Sequence, residues 1–331
     1  DWNAISQRRA QWWSFQPIER PEVPVVEEVS HPVDRFVRAR LSEEGLSPSP
    51  QADARTLHRR ISLSLIGLPP TQEESAQFLE AWSSDPDKAL TSLVDELLTD
   101  IRFAEKWARH WMDWFRYADS HGSEGDPTIP HSWQYRDYLI RALHVDVPYD
   151  QLVLEHLAGD LLEEPRINAD LQLNESALGP GHMRMVFHGF APTDALDERV
   201  RFTDDQINTV TKAFQGLTVS CARCHDHKFD AISQADYYAM YGILTASLPA
   251  TVAVDAPGVL ESNRDELASL KPEIRSALAD FWIDSISDTS DQWKVTDGEE
   301  ASVNVVRFLL RLQSAGSVEA TWKATKGRLG K

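Results

Sequence analysis

Apolar positions recur at helical spacing through most of the chain. Val33, Phe36, Val37 and Leu41 keep a three- and four-residue spacing up to Gly45, which places them on one face of a helix. Leu57, Ile61 and Leu65 form the next stripe, closed by Gly67, Pro69 and Pro70. Thr71 with Glu74 reads as a capping box opening a helix to about Trp82, and Asp85-Pro86 starts another that carries Leu90, Leu93, Val94 and Leu97. The richest stripe, Phe103, Trp107, His110, Trp111, Trp114 and Ala118, predicts a helix from Ile101 to Ala118. Two more are expected over 133–143 and 149–157, divided by Pro148. Thr203 and Gln206 read as a second capping box before Ile207, Val210, Phe214 and Leu217, and a further helix runs from about Gln234 to Ala246. Short helices joined by short breaks predict an all-α fold.

Two stretches break this pattern. Residues 1–30 begin with a short helix bearing Trp12, Trp13 and Phe15, then pass through Pro17, Pro21 and Pro24 as an arm laid on the core. Residues 160–202 keep no period and contain Pro165, Gly179-Pro180-Gly181, Gly189 and Pro192. An irregular connection of that length tends to carry function. The expected organisation is an extended N-terminal arm over 1–30, a helical domain over 31–250 and a C-terminal helical extension over 251–331.

Length and composition bound the function. At 331 residues, 42% of them hydrophobic, the chain can bury a substantial core. No apolar run approaches the length needed to span a bilayer. A net charge of −19 and a pI near 4.9 argue against nucleic acid, which demands a basic face. The same charge would steer a basic redox partner or a cationic substrate.

The densest chemistry lies in Cys221-Ala222-Arg223-Cys224-His225-Asp226-His227, which holds both cysteines of the chain. C-x-x-C followed directly by histidine is the attachment pattern of a c-type haem. The two thiols add across the vinyl groups, and His225 offers an imidazole nitrogen to the iron as proximal ligand. Positions i, i+3 and i+4 of a helix share one side, so all three would face a single flat ligand. Two other readings compete. A dithiol redox pair lacks the strand and helix alternation that usually surrounds one. A zinc site recruiting Cys221, Cys224, His225 and His227 would need the adjacent Cys224 and His225 to converge on one tetrahedral ion. The irregular segment adds His182, Met183, Met185 and His188; of these Met183, Met185 and His188, together with His121 in the polar loop after the tryptophan-rich helix, are candidates for the sixth iron position.

With these residues in view, the sequence resembles the planctomycete-type cytochrome c domain family, exported mono-haem domains of uncharacterised function. The resemblance rests on WWSFQPIERPEVP at 12–24, WARHWMDWFRYADSHG at 107–122 and FQGLTVSCARCHDHKFDAIS at 214–233, with further matches over 31–71 and 135–162. Ala231 stands where a proline usually follows the KFD triplet. The resemblance implies one covalent haem c on Cys221 and Cys224 with His225 proximal. It also nominates Arg116, Tyr117, Arg136 and His227, which fall in matched motifs, as cofactor-binding groups; arginine suits a propionate through paired N–H donors.

The expected protein is an irregular multi-helix domain around a covalently attached haem, with long ordered loops. Its expected work is single-electron transfer in the periplasm or cell envelope, as a relay to a redox partner protein or partner domain. Haem is attached to such motifs outside the cytoplasm in bacteria, so a leader is expected to have been removed ahead of Asp1. The alternatives are a haem oxidoreductase or peroxidase-like enzyme with an open sixth position, using His121, His227 or Tyr117 as acid or base, and a zinc-stabilised helical interaction module.

Overall fold

Capping side chains set where the helices begin. The computed structural model describes residues 1–27, 29–122, 125–186, 193–247 and 250–290, with side chains of the last helix described to residue 282. Helices α1 (Trp2–Ala10), α2 (Pro32–Glu43), α3 (Ala54–Leu65), α4 (Gln72–Ser84), α5 (Pro86–Thr99) and α6 (Ile101–Trp114) come first. They are followed by α7 (Trp133–His144), α8 (Tyr149–Ala158), α9 (Ala195–Gln215), α10 (Gln234–Ala246), α11 (Pro257–Glu261) and α12 (Arg264–Ser290). The side chains of Asp53, Thr71, Asp85 and Asp100 accept backbone N–H groups at the starts of α3 to α6. Thr71 and Glu74 form the reciprocal box expected from the sequence. Among the described residues the fold is all-α apart from one two-stranded antiparallel ribbon, β1 (Ile167–Asn168) with β2 (Leu173–Asn174). No described helix is long and apolar enough to cross a membrane.

Residues Asp1–Val254 form one compact unit and Asp255–Lys331 a second, in which α11 and the long α12 are described. Among its described residues the first unit has three separate apolar clusters. One joins α3, α4 and α5 through Ile66, Phe78, Ala89, Leu93 and Leu97. A second gathers Ala108, Trp111, Phe115, Tyr135, Tyr138, Leu139, Leu152, Leu178 and Met185 from α6, α7, α8 and the 3-10 turns of Ser176–Arg184. The third, Ile207, Val219, Ala222, Ile232 and Tyr237, lies between α9 and α10.

Three expectations differ from what is seen. Helix α6 stops four residues early: Arg116 takes a left-handed backbone (φ 49°), and Tyr117 N–H donates back to the Met112 carbonyl, closing the end. The buried face of α6 is therefore Ala104, Ala108 and Trp111, with Phe115 just beyond, while Trp114 stays 49% exposed. The pair Thr203 and Gln206 is not a cap. Helix α9 starts at Ala195 with Asp194 as N-cap, and Thr203 lies within it, its hydroxyl donating to the Arg199 carbonyl. The aperiodic segment is ordered by the ribbon and by the 3-10 turns of Ser176–Arg184, and polar pairs hold both in place. Glu155, fully buried, accepts from Arg166, Tyr138 and Ser176, and the buried Glu175 accepts two N–H groups of Arg141.

Candidate functional site around the cysteine pair

The cysteine loop is suspended between two helices. Helix α9 ends at Gly216, whose left-handed backbone (φ 66°) is open to glycine at little cost. The chain then makes a short 3-10 helix, Val219–Arg223, rather than continuing as α-helix, and Cys224 is its cap. Three residues per turn bring positions i and i+3 onto the same side, so Cys221 and Cys224 share a face. Both thiols are free and exposed. Val219 and Ala222, on the other side of the turn, are buried against Ile207 and Tyr237.

Polar contacts fix this loop from beneath. Tyr237 donates its hydroxyl to Asp204 at 2.8 Å, and Arg223 reaches the other oxygen of that carboxylate at 3.4 Å. Burial, and then the Asp204 hydrogen bond, raise the Tyr237 pKa above that of an ordinary phenol. Gln234 donates its side-chain amide to the Arg223 carbonyl and its backbone N–H to Asp226. Arg9 of α1 donates to the carbonyls of His227, Lys228 and Asp230.

The two histidines of the motif have different chemistry. His225 is exposed, and its Nδ1 stands 2.7 Å from the Asp226 carbonyl oxygen. A carbonyl accepts only, so Nδ1 carries the proton and Nε2 presents a lone pair outward, the tautomer of a metal ligand. His227 is buried, and its Nδ1 accepts the N–H groups of Phe229 and Asp230. Its Nε2 is then the donor to Thr218 Oγ1 at 2.9 Å. Both nitrogens of His227 are spent on the loop, which makes it a positioning residue and leaves no nitrogen free for a metal or for acid–base work.

The other nominated residues are spread over the first unit. Arg116 pairs with Asp205 of α9 and donates to the His182 carbonyl; desolvation lowers its pKa against the pull of Asp205. Tyr117 donates to Asp119 at 2.7 Å, and Arg136 pairs with its neighbour Asp137 at 2.8 Å. Met185 is 4% exposed in the second cluster, beside Trp111 and Phe115 rather than in the cluster under the motif. Met183 is half-buried and its carbonyl accepts from Gln206. His121 is buried with Nδ1 at 2.9 Å from the Val186 carbonyl. His188 lies outside the described residues. The structure therefore assembles Cys221, Cys224, His225 and His227 into one loop and ties Arg116, Tyr117, Arg136, Met185 and His121 into contacts of their own. The sequence reading missed Arg9 and Asp204, whose distance from the motif in the chain hides their role, and Thr218, which lies next to the motif but whose pairing with His227 no local pattern announces.

The loop offers two free, exposed sulfurs and one exposed imidazole whose Nε2 is not used by the contact to Asp226, and these would be the donors of a thioether-attached haem. Among the described residues no group of three or more His, Cys, Asp or Glu is arranged to hold a metal ion by itself. A zinc site built from Cys221, Cys224, His225 and His227 also loses His227 to the loop.

No curated protein and no solved structure matches the chain. A family model does match, over residues 32–248, under the description PSCyt2: protein of unknown function (DUF1549). That match corrects the resemblance to the planctomycete-type cytochrome c domain family, because the family found is an uncharacterised one whose description carries no cytochrome c motif. With more than half of its length covered, the chain belongs to this PSCyt2 family of unknown function.

Proposed function

We propose that the chain is an exported electron-transfer protein carrying one haem c, bonded through Cys221 and Cys224 and ligated by His225. The observation that carries the reading is the local chemistry of the loop: two free, exposed thiols three residues apart on a 3-10 turn, followed by an imidazole with its Nε2 lone pair outward. A bound haem would supply a one-electron couple. The chain's part is to fix the donors: Tyr237, Asp204 and Gln234 hold the turn, while His227 and Arg9 hold the loop that follows it. Exposure of the loop leaves an edge for a partner to approach. Haem attachment to such a motif takes place outside the cytoplasm in bacteria, which places the proposed protein in the periplasm or cell envelope.

The test is a protein expressed with an export signal in a host competent for haem attachment. Covalent pigment on a denaturing gel and a reduced spectrum of c type are expected, and Cys221→Ala with Cys224→Ala should abolish both. A colourless wild-type protein, or pigment that survives the double substitution, would sink the reading.

A second reading, a haem enzyme with an open sixth position, draws support from the placement of the ligand candidates. Met185 is committed to the core and His121 to the Val186 carbonyl. The spectrum separates the two: a six-coordinate, low-spin iron indifferent to cyanide is expected of the relay, and a cyanide-binding, high-spin iron of the enzyme.

A further inference from the structure

Helix α12, in the second unit, turns large apolar side chains to solvent along one side. Leu267, Leu270, Ile274 and Leu278 are 55%, 38%, 52% and 52% exposed. Their spacing of three and four residues puts them on a single face. The opposite face is polar or proline, with Asp265, Ser269, Pro272 and Ser276. A contiguous apolar stripe on the surface of a soluble helix marks a place of contact.

Written in heptads from Leu267, the stripe has Leu267 and Ile274 at a, Leu270 and Ala277 at d, and Leu278 beside them at e. A β-branched residue at a with leucine at d suits a two-stranded seam, and Ala277 lets the two backbones come close. Pro272 falls at f, the position furthest from the seam. The carbonyl it leaves without a partner, that of Ala268, belongs to an exposed residue and can be met by water.

Charge on the two edges of the stripe selects the occupant and its direction. Glu266, Glu273 and Asp280 stand at g on one edge, and Lys271 stands at e on the other. Among the described residues neither Glu266 nor Lys271 has an ion-pair partner in its own chain. In a parallel pair of helices a g residue faces the e residue five positions on in the other strand. Glu266 then meets Lys271 of a second copy, and the two-fold axis makes the same contact twice. Antiparallel pairing sets g against g, so that three carboxylates face three more. The sequence of α12 thus complements itself in one orientation and opposes the other.

We propose that α12 is a dimerisation helix, which pairs in parallel with α12 of a second copy of this chain through Leu267, Leu270, Ile274 and Leu278, oriented by the two Glu266–Lys271 contacts. So short a seam covers less surface than a permanent dimer needs, so the association is weak and governed by concentration. Nothing in this assignment depends on the haem reading.

Sedimentation equilibrium of the full chain from about 1 to 200 μM tests it, with circular dichroism reporting the helix content of each variant. A reversible monomer–dimer equilibrium is expected within that range. Ile274→Asp, at an exposed position where no core is disturbed, should leave only monomer. Glu266→Lys should weaken the dimer about tenfold or more, and Glu266→Lys combined with Lys271→Glu should restore it to within about threefold of the wild type. A monomer at every concentration, the result expected if residues 291–331 cover the stripe within the same chain, would overturn the proposal. So would a dimer indifferent to Ile274→Asp or to Glu266→Lys, or one that the exchanged pair fails to restore.

Discussion

His156 shows how one residue couples the fold to pH. It is fully buried; its Nδ1–H donates to the Leu152 carbonyl at 2.7 Å, and its Nε2 accepts the Tyr135 hydroxyl at 2.9 Å. This is the neutral ring, and burial pushes the pKa from 6.5 down to about 4. His182 is buried against it and shifted in the same direction, by burial first and then by its histidine neighbour. The sign follows from proton binding. Below pH 6.5 the unfolded chain takes up a proton that the folded chain refuses, so stability falls as pH drops from 6.5 toward 4, by roughly 3 kcal/mol at most for His156. The urea midpoint should decline between pH 6.5 and 5, and His156→Gln, which keeps a hydrogen-bonding side chain without titrating there, should decline less steeply. Equal slopes would remove His156 from the account. At this scale the sequence was readable wherever chemistry was local. The spacing of Cys221, Cys224 and His225 places them in one loop, and the structure has them there with both thiols exposed. Nothing in the neighbourhood of Met185 tells that its side chain enters the second cluster. Nor does the sequence around His227 tell that both ring nitrogens serve its own loop. The first outcome is decided by partners far along the chain, the second by the conformation the loop itself adopts.

Among the elements, the periodic ones were legible and the aperiodic ones were not. Helices α3, α4, α5, α7, α8 and α10 fall where apolar spacing and caps put them, since helix faces and end groups are written in neighbouring residues. The segment from Gly159 to Arg184 has no such period because backbone proximity governs it. A β-carbon added at Gly159 would sit 1.9 Å from the Ser176 carbonyl oxygen, and one at Gly179 would sit 2.3 Å from that of Glu155. Each glycine lets one backbone press on another: Gly159 just past α8 against Ser176, and Gly179 within the later 3-10 turns against α8 itself. Both atoms met are backbone, so neither can swing aside. Gly159→Ala and Gly179→Ala should each cost about 3 kcal/mol or more, at or above the upper end of ordinary overpacking. Gly242, inside α10 with open space around it, provides the contrast. Gly242→Ala should stabilise the protein by about 1 kcal/mol through helix propensity. Urea unfolding of the three variants tests the contact, and a Gly159→Ala protein as stable as the wild type would contradict it.

For the whole molecule the governing quantity is charge. The chain has 52 acidic and 33 basic side chains, a net of −19, and a field of that sign extends about 10 Å from the surface at moderate ionic strength. The proposed haem loop sits in that field with its thiols and His225 exposed, so encounter with a partner is governed by long-range attraction or repulsion before any contact forms. On the proposed reading a basic redox partner would be drawn in, and an acidic one held off. The measurable consequence belongs to rates. Oxidation of the reduced, haem-bearing protein by a cationic cobalt complex should slow as salt is raised, because screening removes an attraction. Oxidation by ferricyanide, an anion, should quicken over the same range, because screening removes a repulsion. Stopped-flow traces at low and high salt give both slopes. Opposite signs are expected for the two oxidants, and parallel or flat responses would mean that the charge of the molecule as a whole does not reach the site where the electron leaves.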